Sequence, residues 1–117
     1  MSSTYWIIAG ILAFVFFGSG MMKIVSSKHR LLKNKNMGWA NDYTATQIKL
    51  IGLAEVLGAA GMILPQLLNI APNLSKIAAI CLHILMIGAA NVHRKRQEPF
   101  IPALVLALGA LTLFFML

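Results

Sequence analysis

Ionisable side chains inside long apolar runs are the residues of this sequence best suited to chemistry. Lys23, Glu55 and His83 each interrupt a stretch that is otherwise apolar, and Asn91 and His93 follow near the end of one such stretch. A charged group is costly in hydrocarbon, so such residues usually face the interior of a helix bundle and often mark a functional site. We therefore predict an intramembrane polar cluster of Lys23, Glu55 and His83, with Asn91 and His93 as contributors.

Position along the chain predicts that two members of this cluster lie at nearly the same depth. Counted from the same membrane face at the rise of a helix, Glu55 is about 12 Å deep and His83 about 14 Å deep. Lys23 begins only about 3 Å from that face, but its long side chain can reach inwards. Glu55 could therefore pair with either His83 or Lys23. The cluster could hold the helices together, bind the polar head of a ligand such as a quinone, or relay protons.

Four apolar segments must position these residues, and they cover 5–25, 47–64, 74–92 and 100–117. Each is about 27–31 Å long as a helix, which matches a hydrocarbon layer of about 30 Å. The second segment is predicted to end before Pro65, which breaks a helix. The whole sequence is 59% hydrophobic and 11% charged. These features predict an all-α fold, an integral membrane four-helix bundle with a single domain spanning residues 1–117.

The distribution of charge predicts the orientation in the membrane. The net charge is +7, and most basic residues fall in two loops, 26–46 and 93–99. Basic loops stay on the cytoplasmic side, so both loops are predicted to be cytoplasmic and both termini to lie outside. Loop 26–46 is expected either to lie on the membrane surface or to be disordered. The basic residues of these two loops are Lys28, Arg30, Lys33, Lys35, Arg94, Lys95 and Arg96. They suit anionic lipid headgroups, and no nucleic-acid partner is predicted.

The small residues and the single cysteine are interpreted first as structural rather than functional features. Glycines such as Gly18 and Gly52 favour close helix packing, although they could also leave room for a ligand. Cys81 stands alone in an apolar run, so it can form no intrachain disulfide, and no metal site is predicted. The sequence contains no nucleophile motif, phosphate-binding loop or haem motif, and no catalytic residue is assigned.

Several stretches of the sequence resemble one known family. Residues 18–23 read Gly-Ser-Gly-Met-Met-Lys, and residues 51–65 combine small residues with Glu55 and Pro65. Together with the stretch from Ala78 to His93, they are similar to the DoxX-like family of small four-helix membrane proteins. The resemblance covers almost the whole chain.

This resemblance implies a multi-pass protein of the bacterial plasma membrane, that is, the cell inner membrane. It further implies a redox-associated or quinone/lipid-binding auxiliary subunit, at most an accessory to a quinone-linked oxidoreductase rather than an enzyme alone. A quinone or a lipid is the only cofactor that it suggests. The alternative is a membrane scaffold or assembly chaperone without ligand chemistry. Expected partners are membrane lipids, a second copy of the chain, or another membrane protein.

Overall fold

The computed structural model describes residues 2–117, including all their side chains except those of residues 35 and 36. Within these residues the chain contains helices and no strand, which confirms the all-α prediction. In chain order the elements are α1 (Ser3–Val25), α2 (Lys28–Leu32), a 3-10 helix (Lys35–Asp42), α3 (Ala45–Leu68), α4 (Asn73–Lys95) and α5 (Ile101–Met116). The terminal amine of Met1, predicted to lie outside the membrane, is beyond the described residues.

Polar caps fix where the long helices begin. The Ser2 hydroxyl accepts a hydrogen bond from the backbone N–H of Tyr5 and opens α1. Thr44 and Gln47 exchange side chain-to-backbone hydrogen bonds in a capping box that opens α3. Each cap satisfies backbone N–H groups that have no partner inside the helix. Helix α4 begins directly after Pro72.

Helix α3 continues past Pro65 to Leu68, beyond the predicted end of this segment. A proline has no N–H to donate to the carbonyl four residues earlier, which here belongs to Gly61. The hydroxyl of Ser75 on α4 donates to that Gly61 oxygen at 3.0 Å. Because the neighbouring helix supplies the missing donor, the proline does not end α3. The helix ends instead at Asn69, which adopts a left-handed conformation with φ of 52°.

The four long helices pack in sequence, α1 against α3, α3 against α4 and α4 against α5, with a smaller α1–α5 contact. Their shared core includes Tyr5, Phe16, Met62, Leu82 and Leu113. Large apolar side chains also cover the outside of the bundle, which suits contact with lipid. Helices α1, α3 and α4 are each long and apolar enough to cross a membrane, while α5 is an apolar helix of 16 residues.

Residues 26–46 fold onto one end of the bundle. Leu31, Met37 and Ala40 from this segment are buried together with Ile48 at the start of α3. The segment is tied to loop 93–99 by an ion pair between Arg96 Nη1 and Asp42 Oδ2, at 2.6 Å. Both basic segments therefore lie at the same end of the bundle, which we call the basic end.

Candidate functional site

The last turn of α1 carries a buried lysine that reaches α3. Lys23 is only 7% exposed, and its Nζ lies 2.7 Å from Oε1 of Glu55. The same ammonium donates a hydrogen bond to the hydroxyl of Ser19, one helical turn earlier on the same face of α1. The structure thus pairs Glu55 with Lys23.

Glu55 is the most deeply buried charged residue that the structure describes, with 2% exposure. Its contact with Lys23 is a charge pairing, because Oε1 accepts no hydrogen bond of suitable direction from any described residue. An ionised carboxylate has two oxygens and about four acceptor positions, so a single ammonium leaves much of this capacity unused. A buried acceptor without an aligned hydrogen bond calls for an explanation, which a bound water molecule or a ligand could supply.

Two glycines bring the lysine and the carboxylate together. A Cβ atom on Gly20 would lie 2.5 Å from the backbone oxygen of Gly52, and one on Gly52 would lie 2.8 Å from Cβ of Lys23. Only glycine permits this approach of α1 to α3. Gly52 thus positions Lys23 by close packing.

A cavity of about 590 Å³ borders the ion pair of Lys23 and Glu55. All four long helices and the 3-10 helix contribute to its wall. Lys23, Glu55, Ser19 and His93 are among its polar lining residues, and Gly88 of α4 forms part of an otherwise largely apolar wall. The cavity thus combines an apolar volume with one buried ion pair.

Aromatic side chains close the cavity at the basic end. Lys23 Nζ lies 5.8 Å from the ring centroid of Trp39, a cation–π arrangement. Trp39 also meets Tyr43 and His93 edge-on, with centroids 5.8 Å and 6.4 Å away. Trp39 and Tyr43 belong to the folded segment 26–46, so this segment forms part of the wall.

Ion pairs next to this aromatic wall stabilise its position. Arg96 contacts Asp42 and also Glu98, while Nδ1 of His93 lies 3.1 Å from Glu98. Hydrogen bonds to Asp42 and then to Glu98 raise the pKa of Arg96 above its usual range. Arg96 therefore stays charged and links the two basic segments at any pH at which these carboxylates are ionised.

The remaining predicted residues lie elsewhere. Nδ1 of His83 is 2.7 Å from the backbone oxygen of Ala107, so the imidazole ties α4 to α5 and does not meet Glu55. Gly18 is exposed, and a Cβ there would meet no atom within 4 Å. Asn91 is exposed and accepts a hydrogen bond from Arg94. Of the predicted residues, only Lys23, Glu55 and His93 line the cavity.

Sequence reasoning overlooked three contributors. Ser19 lies four residues before Lys23, a spacing that does place both on one helix face. Gly20, rather than Gly18, makes the close approach to α3. Trp39 is the third, and no sequence pattern shows that segment 26–46 folds back over the helix ends.

The fold and the site together define a small, all-helical membrane protein with a polar pair beside a cavity between its helices. The DoxX-like family matches residues 7–115, nearly the whole chain, and the protein belongs to this family. No curated protein and no solved structure matches it.

Proposed function

We propose that the protein is a quinone- or lipid-binding auxiliary subunit of the membrane, associated with redox reactions. The cavity beside Glu55 carries this proposal, because it combines apolar volume with a buried carboxylate whose Oε1 accepts no hydrogen bond from a described residue. Sites for small ligands commonly enclose about 300–1,000 Å³ and have mostly apolar walls with a few placed polar groups. The volume of about 590 Å³ lies within this range.

The second part of the proposal concerns orientation. We place the basic end on the cytoplasmic side of the plasma membrane, with α5 as a fourth crossing and both termini outside. The cluster of Lys28, Arg30, Lys49, Arg94 and Lys95 near this end supports it, since basic segments remain in the cytoplasm. Labelling single cysteines at positions 30 and 70 in a Cys81→Ala background tests it. Residue 30 should react only from the cytoplasmic side, and reaction from outside would contradict the proposed orientation.

Quenching of tryptophan emission tests the binding function. Trp39 lines the cavity and the other tryptophan, Trp6, does not, so Trp6→Phe leaves a single reporter. Decylubiquinone added to this variant in nanodiscs should quench Trp39 saturably. A saturable component indicates a site rather than simple partition into lipid.

Two glycines provide a matched pair of cavity-blocking and control variants. A Cβ on Gly88 or on Gly10 would meet no atom within 4 Å, but only Gly88 lines the cavity. Gly88→Phe should fill the cavity and abolish saturable quenching, whereas Gly10→Phe should leave it unchanged. Equal quenching in both variants would contradict the proposed site and would leave the scaffold or assembly role as the better account.

A further inference from the structure

We infer that the cavity binds its ligand through a hydroxyl group that donates to Glu55, and that it therefore selects the reduced, dihydroxy form of a quinone over the oxidised form. This inference rests on the proposed function and narrows it to one chemical state of the ligand. The determining feature is the balance of donors and acceptors around the Lys23–Glu55 pair.

The carboxylate supplies acceptors in excess. Glu55 lines the cavity and is nearly fully buried, and its Oε1, paired with Lys23, accepts no aligned hydrogen bond from a described residue. A ligand hydroxyl in the cavity could donate a charge-assisted hydrogen bond to this group, which is stronger than a neutral one. A ligand that offers only a carbonyl would instead place a second acceptor against the carboxylate and leave both unsatisfied.

The lysine does not distinguish the two forms. Its ammonium carries three N–H groups, and of its contacts with Ser19, Glu55 and the Trp39 ring only that with Ser19 is a hydrogen bond, so an N–H remains for an oxygen of either form. A quinol can accept from this N–H and also donate to Glu55, whereas a quinone can only accept. The Tyr43 hydroxyl, also in the wall, can donate or accept and therefore does not distinguish the two forms.

The experiment compares the two redox forms of one molecule. Binding of decylubiquinol and of decylubiquinone to the purified protein is measured by titration calorimetry in detergent, without oxygen. We expect the quinol to bind at least about tenfold more tightly, the typical effect of one hydrogen bond to a charged group. Equal affinities, or a preference for the quinone, would overturn the inference.

Glu55→Gln tests whether the carboxylate causes the preference. Glutamine keeps the shape but supplies one donor group and one acceptor, so the ratio between the two affinities should fall to about threefold or less. Lys76→Gln, which also replaces an ionisable side chain by glutamine but at an exposed position outside the cavity lining, should keep the full ratio. A ratio that survives Glu55→Gln would overturn the inference, and the comparison within the native protein is decisive even if this variant does not fold.

Two further outcomes separate the possible failures. If both redox forms bind equally and Gly88→Phe abolishes both, the proposed function stands and the hydroxyl preference is wrong. If neither form binds, the proposed function itself is wrong. Dioctanoylglycerol, which carries a single lipid hydroxyl, should not displace decylubiquinol; displacement would assign the hydroxyl to a lipid and overturn the quinol assignment.

Discussion

At the end of the bundle away from the basic end, two buried hydroxyls donate to helix carbonyls, whereas nearer the basic end a buried carboxylate lacks an aligned donor. Tyr5 donates to the backbone oxygen of Met62, and Ser75 donates to that of Gly61. Glu55 pairs with the ammonium of Lys23, and its Oε1 accepts no aligned hydrogen bond from a described residue. Each neutral hydroxyl finds the one acceptor that it needs, while the carboxylate of Glu55, a residue of the cavity wall, retains unused acceptor capacity.

This contrast separates packing from function among buried polar residues. A satisfied hydroxyl contributes to helix association and needs nothing further. An incompletely satisfied charge beside an open volume is expensive, and a ligand could supply the missing hydrogen bond. Substitutions that remove one interaction partner at either end, followed by measurement of the unfolding free energy, test this contrast.

The largest effect is expected from Lys23→Met. Removing the lysine leaves the buried Glu55 charge unpaired, which should cost about 3 kcal/mol of unfolding free energy. Lys49→Met is the matched control, because Lys49 lies exposed and bonds only the backbone oxygen of Ile24. Unfolding is followed by circular dichroism in mixed micelles.

A double variant shows whether the cost comes from the unpaired charge. Lys23→Met combined with Glu55→Met removes both charges and should regain most of the lost stability, since apolar replacements of a buried pair are often neutral. If the double variant is as unstable as the single one, the ion pair does not explain the effect.

The second prediction concerns the close contact behind the ion pair. Gly20→Ala should destabilise the bundle by about 2 kcal/mol, because overpacking forces the backbones of α1 and α3 apart. Gly10→Ala, at an open position on the same helix, should be neutral or slightly stabilising, as alanine favours helix more than glycine. The same thermal unfolding assay gives both values. A similar loss in both variants would argue against a specific α1–α3 contact.

The third prediction concerns the end of the bundle away from the basic end, where Ser75 donates to Gly61. Ser75→Ala leaves the Gly61 oxygen without a donor and should cost about 1.5 kcal/mol. In a Pro65→Ala background the residue at position 65 can donate to Gly61 again, so the same change should cost clearly less. Equal costs in the two backgrounds would show that Ser75 does not compensate for the proline.

The smallest effect is expected at the exposed ion pair between the two basic segments. Asp42→Asn removes one partner of Arg96 and should lower stability only slightly, as for other exposed pairs. Its effect should shrink further at high salt, where exposed charges are screened. The comparison is made at low and high ionic strength, and an undiminished loss at high salt would contradict this reading.

The sequence predicts the four long helices well and their relative rotation poorly. Apolar runs place the helices, but α3 passes Pro65 because Ser75, from another helix, replaces a hydrogen bond. Depth along a helix comes from counting residues, and it correctly suggested that Lys23 could reach Glu55. Direction around a helix depends on tertiary packing, and for this reason His83 turns to Ala107 instead.

Segment 26–46 shows the same limit for loops. Its mixture of lysines and apolar residues suggested a surface segment or a disordered loop, while the structure buries Leu31 and Met37 and brings Trp39 to the cavity. These contacts need the ends of α1, α3 and α4 to be in place first. No local pattern in the sequence contains that information.

Infrared difference spectroscopy tests the central claim most directly, because it detects the bonding state of one carboxylate. Adding decylubiquinol to the native protein should shift carboxylate bands. These shifts should be missing when the same experiment is done on Glu55→Gln. This result would show that the ligand supplies the hydrogen bond that Glu55 lacks. Identical difference spectra from the native protein and the variant would contradict the claim that Glu55 receives the ligand.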